Sequence, residues 1–383
     1  MRVLVAHNFY RSSAPSGENK LVRAEVDLLR SGGVDVVEQF EDSDDLVGLR
    51  GVARAAPGPI YSREGVRRFA ALLRENRPDV VHLHQVTPLI SPWVVRVANR
   101  HGVPVVQTVH AYRHTCVNGL HVRDGRVCTD CVGTRLNLPS VRHGCYRGSR
   151  LQTAPVTVGL DLHRRTWRDG VAQFLALTPF MRDLLVAGGL PAERITVRPT
   201  WVPDPGAAGT PGRDVLYVGR LDEAKGVDRL LDAWSTGRPE GRRLVLAGEG
   251  PLASRVDDAQ RRDPTVEWLG GVSHERVADA MRAAAYVAVP SRFFEGYPLV
   301  VAEAFAHGRA VLTVSGGSVG TIVGDDGGWT VEPTTEAVAE ALATISDDAV
   351  QRHSIAARRR FERDNTPARG LESLLTTYHK VAR

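Results

Sequence analysis

The sequence predicts an α/β protein built as two doubly wound, parallel-sheet domains facing a central cleft. Three observations predict it. Short continuous apolar runs alternate with amphipathic stretches along nearly the whole chain, the pattern of strands buried on both faces and crossed by helices. The rhythm breaks at the Pro- and Gly-rich stretch RPTWVPDPGAAGTPGRD (198–214) and then restarts. At 383 residues the chain is too long for one comfortable core, so two domains are expected.

In the first half, RVLVAH (2–7), VDVVEQF (34–40), DVVHLH (79–84) and VPVVQTVH (103–110) read as strands, with helices at 18–31, 64–76 and 91–101 between them. QFLALT (173–178) and ERITVRP (193–199) complete this half. In the second, DVLYVGR (214–220), RRLVLAGEG (242–250), TVEWLGG (265–271), AYVAVPS (285–291) and RAVLTV (309–314) repeat the pattern. The expected boundaries are 1–197 for the first domain, 198–212 for a hinge linker, 213–350 for the second domain and 351–383 for Arg-rich C-terminal helices. Ligands of open α/β sheets bind beyond the carboxyl ends of the strands. That rule directs attention to His84, His110, Arg220, Glu249, Ser291 and Glu295.

Composition excludes several classes. With 43% apolar and 24% charged residues the chain reads as an ordinary soluble enzyme. No stretch reaches the roughly 18 uninterrupted apolar residues of a membrane span, and the start, MRVLVAHNFYRSSAPSGENK, lacks the apolar core of a signal peptide. A cytoplasmic location is expected. The net charge of +5 is mildly basic, yet no basic tail, RNP motif or finger spacing points to nucleic acid. Phosphate-bearing small molecules or an anionic membrane surface fit that charge. Lys20, Lys225 and Lys380 are the only lysines against 46 arginines, which hints that each lysine position needs a compact ammonium.

The second half carries the clearest chemistry. VGRLDEAKG (218–226) follows a strand and opens a helix. Gly219 and Gly226 permit tight turns, while Arg220 and Lys225 set two cations at the strand mouth. A helix amino terminus beside them favours anions. The pattern reads either as a metal-free pyrophosphate clamp or as a surface loop with two solvated cations. AGEGPL (247–252) is another strand-to-helix turn, with Gly248 and Gly250 in the turn and Pro251 suited to the first helical position. In PSRFFEGYPLVVAEAFAHG (290–308), Pro298 is expected to start a helix, Glu303 to lie one and a half turns in and Glu295 to sit in the loop before it. The free N–H groups near Leu299 and Val300 then suit phosphate oxygens, and a carboxylate beside them suits vicinal hydroxyls.

With GRLDEAKG, AGEGPL, the Glu295-x7-Glu303 pair and SGG (315–317) in this order, the chain resembles the family 4 glycosyltransferases of the GT-B fold, which pairs two Rossmann-like domains. The resemblance implies a retaining, metal-independent hexosyl transfer from a nucleotide sugar, a UDP-sugar first and GDP-mannose next. The implied acceptor is a saccharide, a lipid-linked sugar or a secondary metabolite, as in polysaccharide biosynthesis. It implies that Arg220 and Lys225 neutralise the donor diphosphate, that Glu303 holds the ribose and that Glu295 faces the transferred sugar. Backbone amides around Tyr297, Pro298, Leu299 and Val300, with the turn at Gly248 and Gly250, complete the donor site, and the C-terminal helices cross back to the first domain. His110 takes the place of the family's cleft histidine, against a reading as a histidine packed under a loop; His84 reads as structural. Where relatives often carry two adjacent glycines, this chain has Ser16-Gly17, whose amides precede a helix. An epimerase on the same fold and a catalytically inactive scaffold are the alternatives. No G-x-G-x-x-G follows the first strand, which disfavours a dinucleotide dehydrogenase.

All four cysteines, Cys116, Cys128, Cys131 and Cys145, fall within 30 residues of the first half, spaced C-x11-C-x2-C-x13-C. GLHVRDGRVC (119–128) reads as a hairpin turning at Asp124-Gly125. A C-x2-C beside a hairpin in a cytosolic chain points to thiolate ligation of structural zinc, with His114, His121 and His143 as reserve ligands. An iron–sulfur cluster or four unlinked thiols remain open. From Arg113 to Arg168, ten arginines face three aspartates, a local +7 that reads as a solvated surface or as a platform for peripheral contact with the inner face of a membrane.

Overall fold

The structure, a computed structural model, describes residues 1–13 and 16–382, the side chains of Leu49 and Val52 apart. Continuous apolar runs become buried parallel strands, because a strand covered on both faces has no polar side to offer. The first sheet holds β1 (Arg2–Phe9), β2 (Asp35–Asp42), β3 (Val80–Leu83) and β4 (Val105–Val109). A separate antiparallel hairpin follows, β5 (Val122–Arg123) and β6 (Arg126–Val127), and then β7 (Gln173–Ala176) and β8 (Ile195–Val197) rejoin the sheet. The second sheet holds β9 (Asp214–Val218), β10 (Leu244–Ala247), β11 (Val266–Trp268), β12 (Ala284–Val289), β13 (Ala310–Val314) and β14 (Gly328–Val331). Every residue of β3, β4, β10, β12 and β13 is buried.

The chain groups into two compact units, Met1–His121 with Cys128–Arg198 and Leu371–Arg383, and Val122–Val127 with Pro199–Gly370. Both sheets are wholly parallel, in the orders β2-β1-β3-β4-β7-β8 and β11-β10-β9-β12-β13-β14. This is the doubly wound architecture the sequence predicts. The order reverses direction between β1 and β3 in the first sheet and between β9 and β12 in the second, and such reversals open a crevice at the strands' carboxyl ends. Among the described strands, the short edge strand β14, half-exposed and without a continuous apolar run, is the one the pattern does not reveal.

Local chemistry sets the helix starts. Ser16 caps the helix Gly17–Ser31 by accepting from the Glu18 amide, and Ser62, Thr178, Ser273, Thr334 and Ser346 cap others in the same way. Each such cap contributes about 1 kcal/mol. Two proline expectations need correction. Pro298 is the cap of the helix Leu299–Ala306 and not its first residue, and Pro251 lies in a turn before the helix Ala253–Arg262, which Leu252 caps. The Asp124-Gly125 turn appears as expected, with both φ angles positive, at 51° and 71°.

In the first unit Val3, Val5, Leu29, Val80, Val106 and Leu175 form a core that Leu374 and Tyr378 of the last helix, Pro367–Val381, join. In the second unit one core cluster gathers around Trp234 and another around Phe305. Each large apolar side chain so buried stabilises the fold by about 1.5–3 kcal/mol.

Candidate functional site

In the second unit, two loops leave the strand-order reversal side by side. The loop after β9 brings Arg220 and Lys225; the loop after β12 brings Ser291 and Glu295. They are pinned together at Gly226, whose φ is +72° and where a Cβ would lie 2.1 Å from the Pro290 carbonyl oxygen. Only glycine serves there. The Arg292 amide donates to the Ala224 carbonyl at 2.8 Å, a second tie between the loops. The AGEG turn packs as closely, since a Cβ on Gly248 would come within 1.9 Å of the Gly219 carbonyl.

This packing joins two residues read separately in the sequence. The Lys225 ammonium donates to Glu295 Oε2 at 2.7 Å, and the Ser291 hydroxyl donates to Oε1 at 2.5 Å. Glu295 is buried, 6% exposed, so hydrogen bonds from within the protein stand in for water around its carboxylate. The Ser318 hydroxyl also donates to the Glu295 carbonyl oxygen. The Lys225 backbone amide donates to Asp222 at 2.8 Å, and Arg220, exposed, pairs with the same aspartate. The helix Leu299–Ala306 has no side-chain cap, which leaves its positive end to an anion. Glu303 is half-buried one and a half turns in, between the buried Ala302 and Ala304. Tyr297 spends its phenol oxygen on Asn365, which donates to it at 2.9 Å, so its backbone is what it offers a ligand. An ammonium, a guanidinium and an uncapped helix start beside two carboxylates suit a diphosphate flanked by polyols.

The first unit ends its strands in histidines. His84 and His110 share a hydrogen bond of 2.9 Å between Nδ1 and Nε2. Behind them His82 pairs with Tyr378 at 2.6 Å and Thr108 at 2.8 Å, and Glu25 lies 3.4–3.5 Å from the rings of His84 and His82. Arg198 closes the network, donating to Glu25 Oε2 at 2.9 Å. Burial holds the pKa of His84 and His110 well below the usual value, and it lowers His82 and His7 to about 4. These rings are neutral and act as hydrogen-bonding groups. His84, read as structural, is buried as expected, and it orients His110.

Ser16 and Gly17 sit at the start of their helix, and the next residue is one the sequence reading passed over. Glu18 lies with Tyr10, His110 and Arg113 around a small hollow, and burial raises its pKa to about 7 against the pull of Arg113. Burial likewise lifts Tyr10 to about 12. An acidic residue in a first helical turn normally complements the helix dipole, which masked this one.

Two family models match in tandem: a glycosyl transferase 4-like domain over residues 20–201 and glycosyl transferases group 1 over residues 212–348. The chain belongs to glycosyltransferase family 4. A GDP-mannose-dependent alpha-(1-6)-phosphatidylinositol dimannoside mannosyltransferase of Mycobacterium tuberculosis is 30% identical over 170 residues, 44% of each chain. A D-inositol 3-phosphate glycosyltransferase of Xylanimonas cellulosilytica is 29% identical over 282 residues, 68% of this chain and 61% of that one. The chain thus matches less than two thirds of the length of either relative. Among solved structures, Anabaena HepE in complex with UDP superposes with a TM-score of 0.67 at 14% identity, over 99% of this chain and 100% of that one. That likeness is one of fold, and the fold is GT-B.

This family 4 chain carries its four cysteines as half-buried thiols outside any disulfide. Burial pushes Cys131 up to about 11, and the thiols of Cys116, Cys145 and Cys128 push it further in the same direction, so the four stand within electrostatic reach. Of the reserve ligands, His121 pairs with Thr115 and the Cys128 carbonyl, His114 pairs with Gln107, and His143 is exposed. Among the described residues, the group whose ligand atoms all lie within 4.8 Å of one another is Glu25, His82 and His84; the four sulfurs are not drawn that close. Arg198, Tyr378 and Thr108 already engage Glu25 and His82 there, which makes that cluster a protein hydrogen-bond network. No helix among the described residues is long and apolar enough to cross a membrane.

Proposed function

We propose that the chain is a retaining, metal-independent glycosyltransferase that moves a hexose from a nucleotide sugar to a lipid-linked or saccharide acceptor. The observation that carries this reading is the Lys225–Glu295 pair at the strand-order reversal, beside an uncapped helix. In this reading Lys225 and Arg220 neutralise the diphosphate, while the amides of Tyr297, Leu299 and Val300 hold its oxygens and the Gly248–Gly250 turn lets the backbone come close. Glu303 accepts hydrogen bonds from the ribose hydroxyls and Glu295 from those of the sugar. Lys225 serves both ends, because its ammonium also holds the Glu295 side chain in place.

The bond from the anomeric carbon to the leaving phosphate oxygen breaks as the acceptor oxygen bonds to the same face, and the acceptor proton passes to that phosphate. No side-chain base is needed for that step. His110, neutral and held by His84, contributes a hydrogen bond to the sugar or acceptor, and the amides at Ser16 and Gly17 meet an acceptor anion. Membrane-facing work at the cytoplasmic surface suits the basic 113–168 stretch. The four cysteines suit structural zinc by type and spacing, and its binding would take their protons and draw the sulfurs closer than they stand.

The test is binding and hydrolysis of a sugar-nucleotide panel by the purified protein. A UDP-sugar is expected first and GDP-mannose second; indifference to every member would end the proposal. Metal analysis is expected to find about one equivalent of zinc, and less than roughly half an equivalent without chelator would remove the structural site.

A further inference from the structure

We infer that the first unit carries a groove for the hydrocarbon chain of a lipid phosphate, which is the acceptor or its carrier. The inference rests on the glycosyltransferase reading and narrows its acceptor class. A cavity of about 720 Å³ lies wholly among first-unit residues. Its size fits a sizeable organic ligand. Most of its wall is carbon, including Leu46, Val86, Ala154, Val156, Leu160 and Trp167. One wall is the helix Arg150–Leu162, held close to the chain opposite: a Cβ on Gly159 would lie 2.4 Å from the Pro59 carbonyl oxygen.

The groove is amphiphilic along its length. At one end it shares Tyr10, Gln85, Gln107, Arg113 and His114 with the polar hollow that contains Glu18 and His110. Arg11, Arg113 and Arg147 line it, and its lining holds no acidic residue. The buried Arg113 Nε has no hydrogen-bond partner, so a donor waits at the junction of the polar and apolar parts. A phosphate at that junction would satisfy it and set the attached chain along the apolar wall.

The outer surface argues for delivery from a bilayer. On the same helix Leu151, Val158 and Leu162 are 86%, 54% and 46% exposed. Leu136 and Leu138 are 51% and 62% exposed, and Val47, just before the helix Gly48–Ala55 that forms part of the groove, is 76% exposed. Exposed aliphatic side chains among arginines suit a surface that rests on an anionic membrane. A soluble polar acceptor needs neither the groove nor this rim.

The experiment follows Trp167 and the other tryptophans by fluorescence as the full chain is titrated with farnesyl monophosphate, farnesol or inorganic phosphate. Farnesyl monophosphate is expected to bind, Ala154→Trp to weaken it at least tenfold by filling the groove, and Arg113→Gln to reduce its advantage over farnesol. Inorganic phosphate is expected to compete weakly. Unchanged affinity in an Ala154→Trp protein that melts like the parent would overturn the groove, as would no binding by the parent. Farnesol binding as tightly as its phosphate would assign the groove to a neutral aglycone and overturn the lipid-phosphate reading. Should Ala154→Trp fail to fold, Val156→Glu repeats the test. Sugar-nucleotide binding by the parent is measured alongside: if it stands while farnesyl monophosphate fails, only the groove is lost, and if it fails, the transferase reading falls first.

Discussion

The two units solve one architectural problem with opposite electrostatics. Both are parallel sheets whose strand order reverses once, and both gather polar side chains beyond the strand ends. The second unit fills that place with full charges: Lys225 against Glu295, Arg220 against Asp222 and Arg292 against Asp228. The first fills it with imidazoles that burial keeps neutral, tied to one another, backed by the buried pair of Glu25 with Arg198 and flanked by Arg113 beside Glu18. A diphosphate needs fixed cations that cost no reorganisation when it arrives. A hydroxyl or a neutral sugar is better met by groups that carry no charge to desolvate. The shared fold does not dictate this difference in charge; under the proposed function it divides donor from acceptor chemistry.

The largest expected effect strikes the charged side. Lys225→Ala removes a cation from the proposed donor site and also takes an ammonium away from Glu295. Turnover is expected to fall by about 10²–10³ or more, while a buried carboxylate that has lost its ammonium partner lowers the melting temperature as well. The double variant Lys225→Met/Glu295→Leu separates the two effects: it is expected to regain stability and no activity. Steady-state kinetics and thermal melts read both. Full turnover in Lys225→Ala would break the comparison outright.

The neutral side should announce itself through pH. His7, His82 and His114 sit at about 4 in the folded protein against an ordinary 6.5. Between those values the unfolded chain takes up protons that the folded chain refuses, so stability falls as pH drops from 6.5 towards 4. Each ring contributes on the order of 3 kcal/mol at the limit. Glu18 acts with the opposite sign. With a pKa near 7, the folded chain keeps a proton that the unfolded chain has lost, so its contribution declines as pH rises from 4.5 to 7. Melting curves from pH 4 to 8 are expected to show the acid loss in the parent and in Glu18→Gln, and the gentler decline towards pH 7 in the parent alone. A pH-independent melt over the acid range would mean that the histidines are not held neutral.

The same contrast explains what the sequence disclosed. Strands were legible because each doubly covered strand is a run of apolar residues, and the loops of the proposed donor site were legible because Gly226, Lys225 and Glu295 lie in motifs whose spacing is set by backbone geometry. The Lys225–Glu295 bond itself was not, since it joins positions 70 apart through the strand order. The histidine network was less legible still. Arg198 reaches Glu25 across 173 positions and Tyr378 reaches His82 across 296, and neither pair has any local pattern. Glu18 and Glu25 both looked like ordinary helix glutamates; only burial sets them apart. The prolines misled in a smaller way, because proline is as compatible with the cap or the preceding turn as with the first helical residue.

The smallest effect expected is also the one that best isolates a single contact. Glu303 follows Ala302 on a helix that is otherwise apolar, half-buried where a packed surface would favour another aliphatic residue. If its carboxylate receives two ribose hydroxyls, Glu303→Ala removes charge-assisted hydrogen bonds worth about 1.5–3 kcal/mol, or roughly ten- to a hundredfold in affinity. The loss belongs to the nucleotide and not to the sugar, so free nucleoside diphosphate and nucleotide sugar should weaken by the same factor. Glu295→Gln should instead weaken only the sugar-bearing ligand. Calorimetric titration of both ligands against both variants gives four ratios. An unaltered dissociation constant in Glu303→Ala would leave the second unit with cations for the phosphates and no carboxylate for the ribose, and the charged site would then be a phosphate clamp alone.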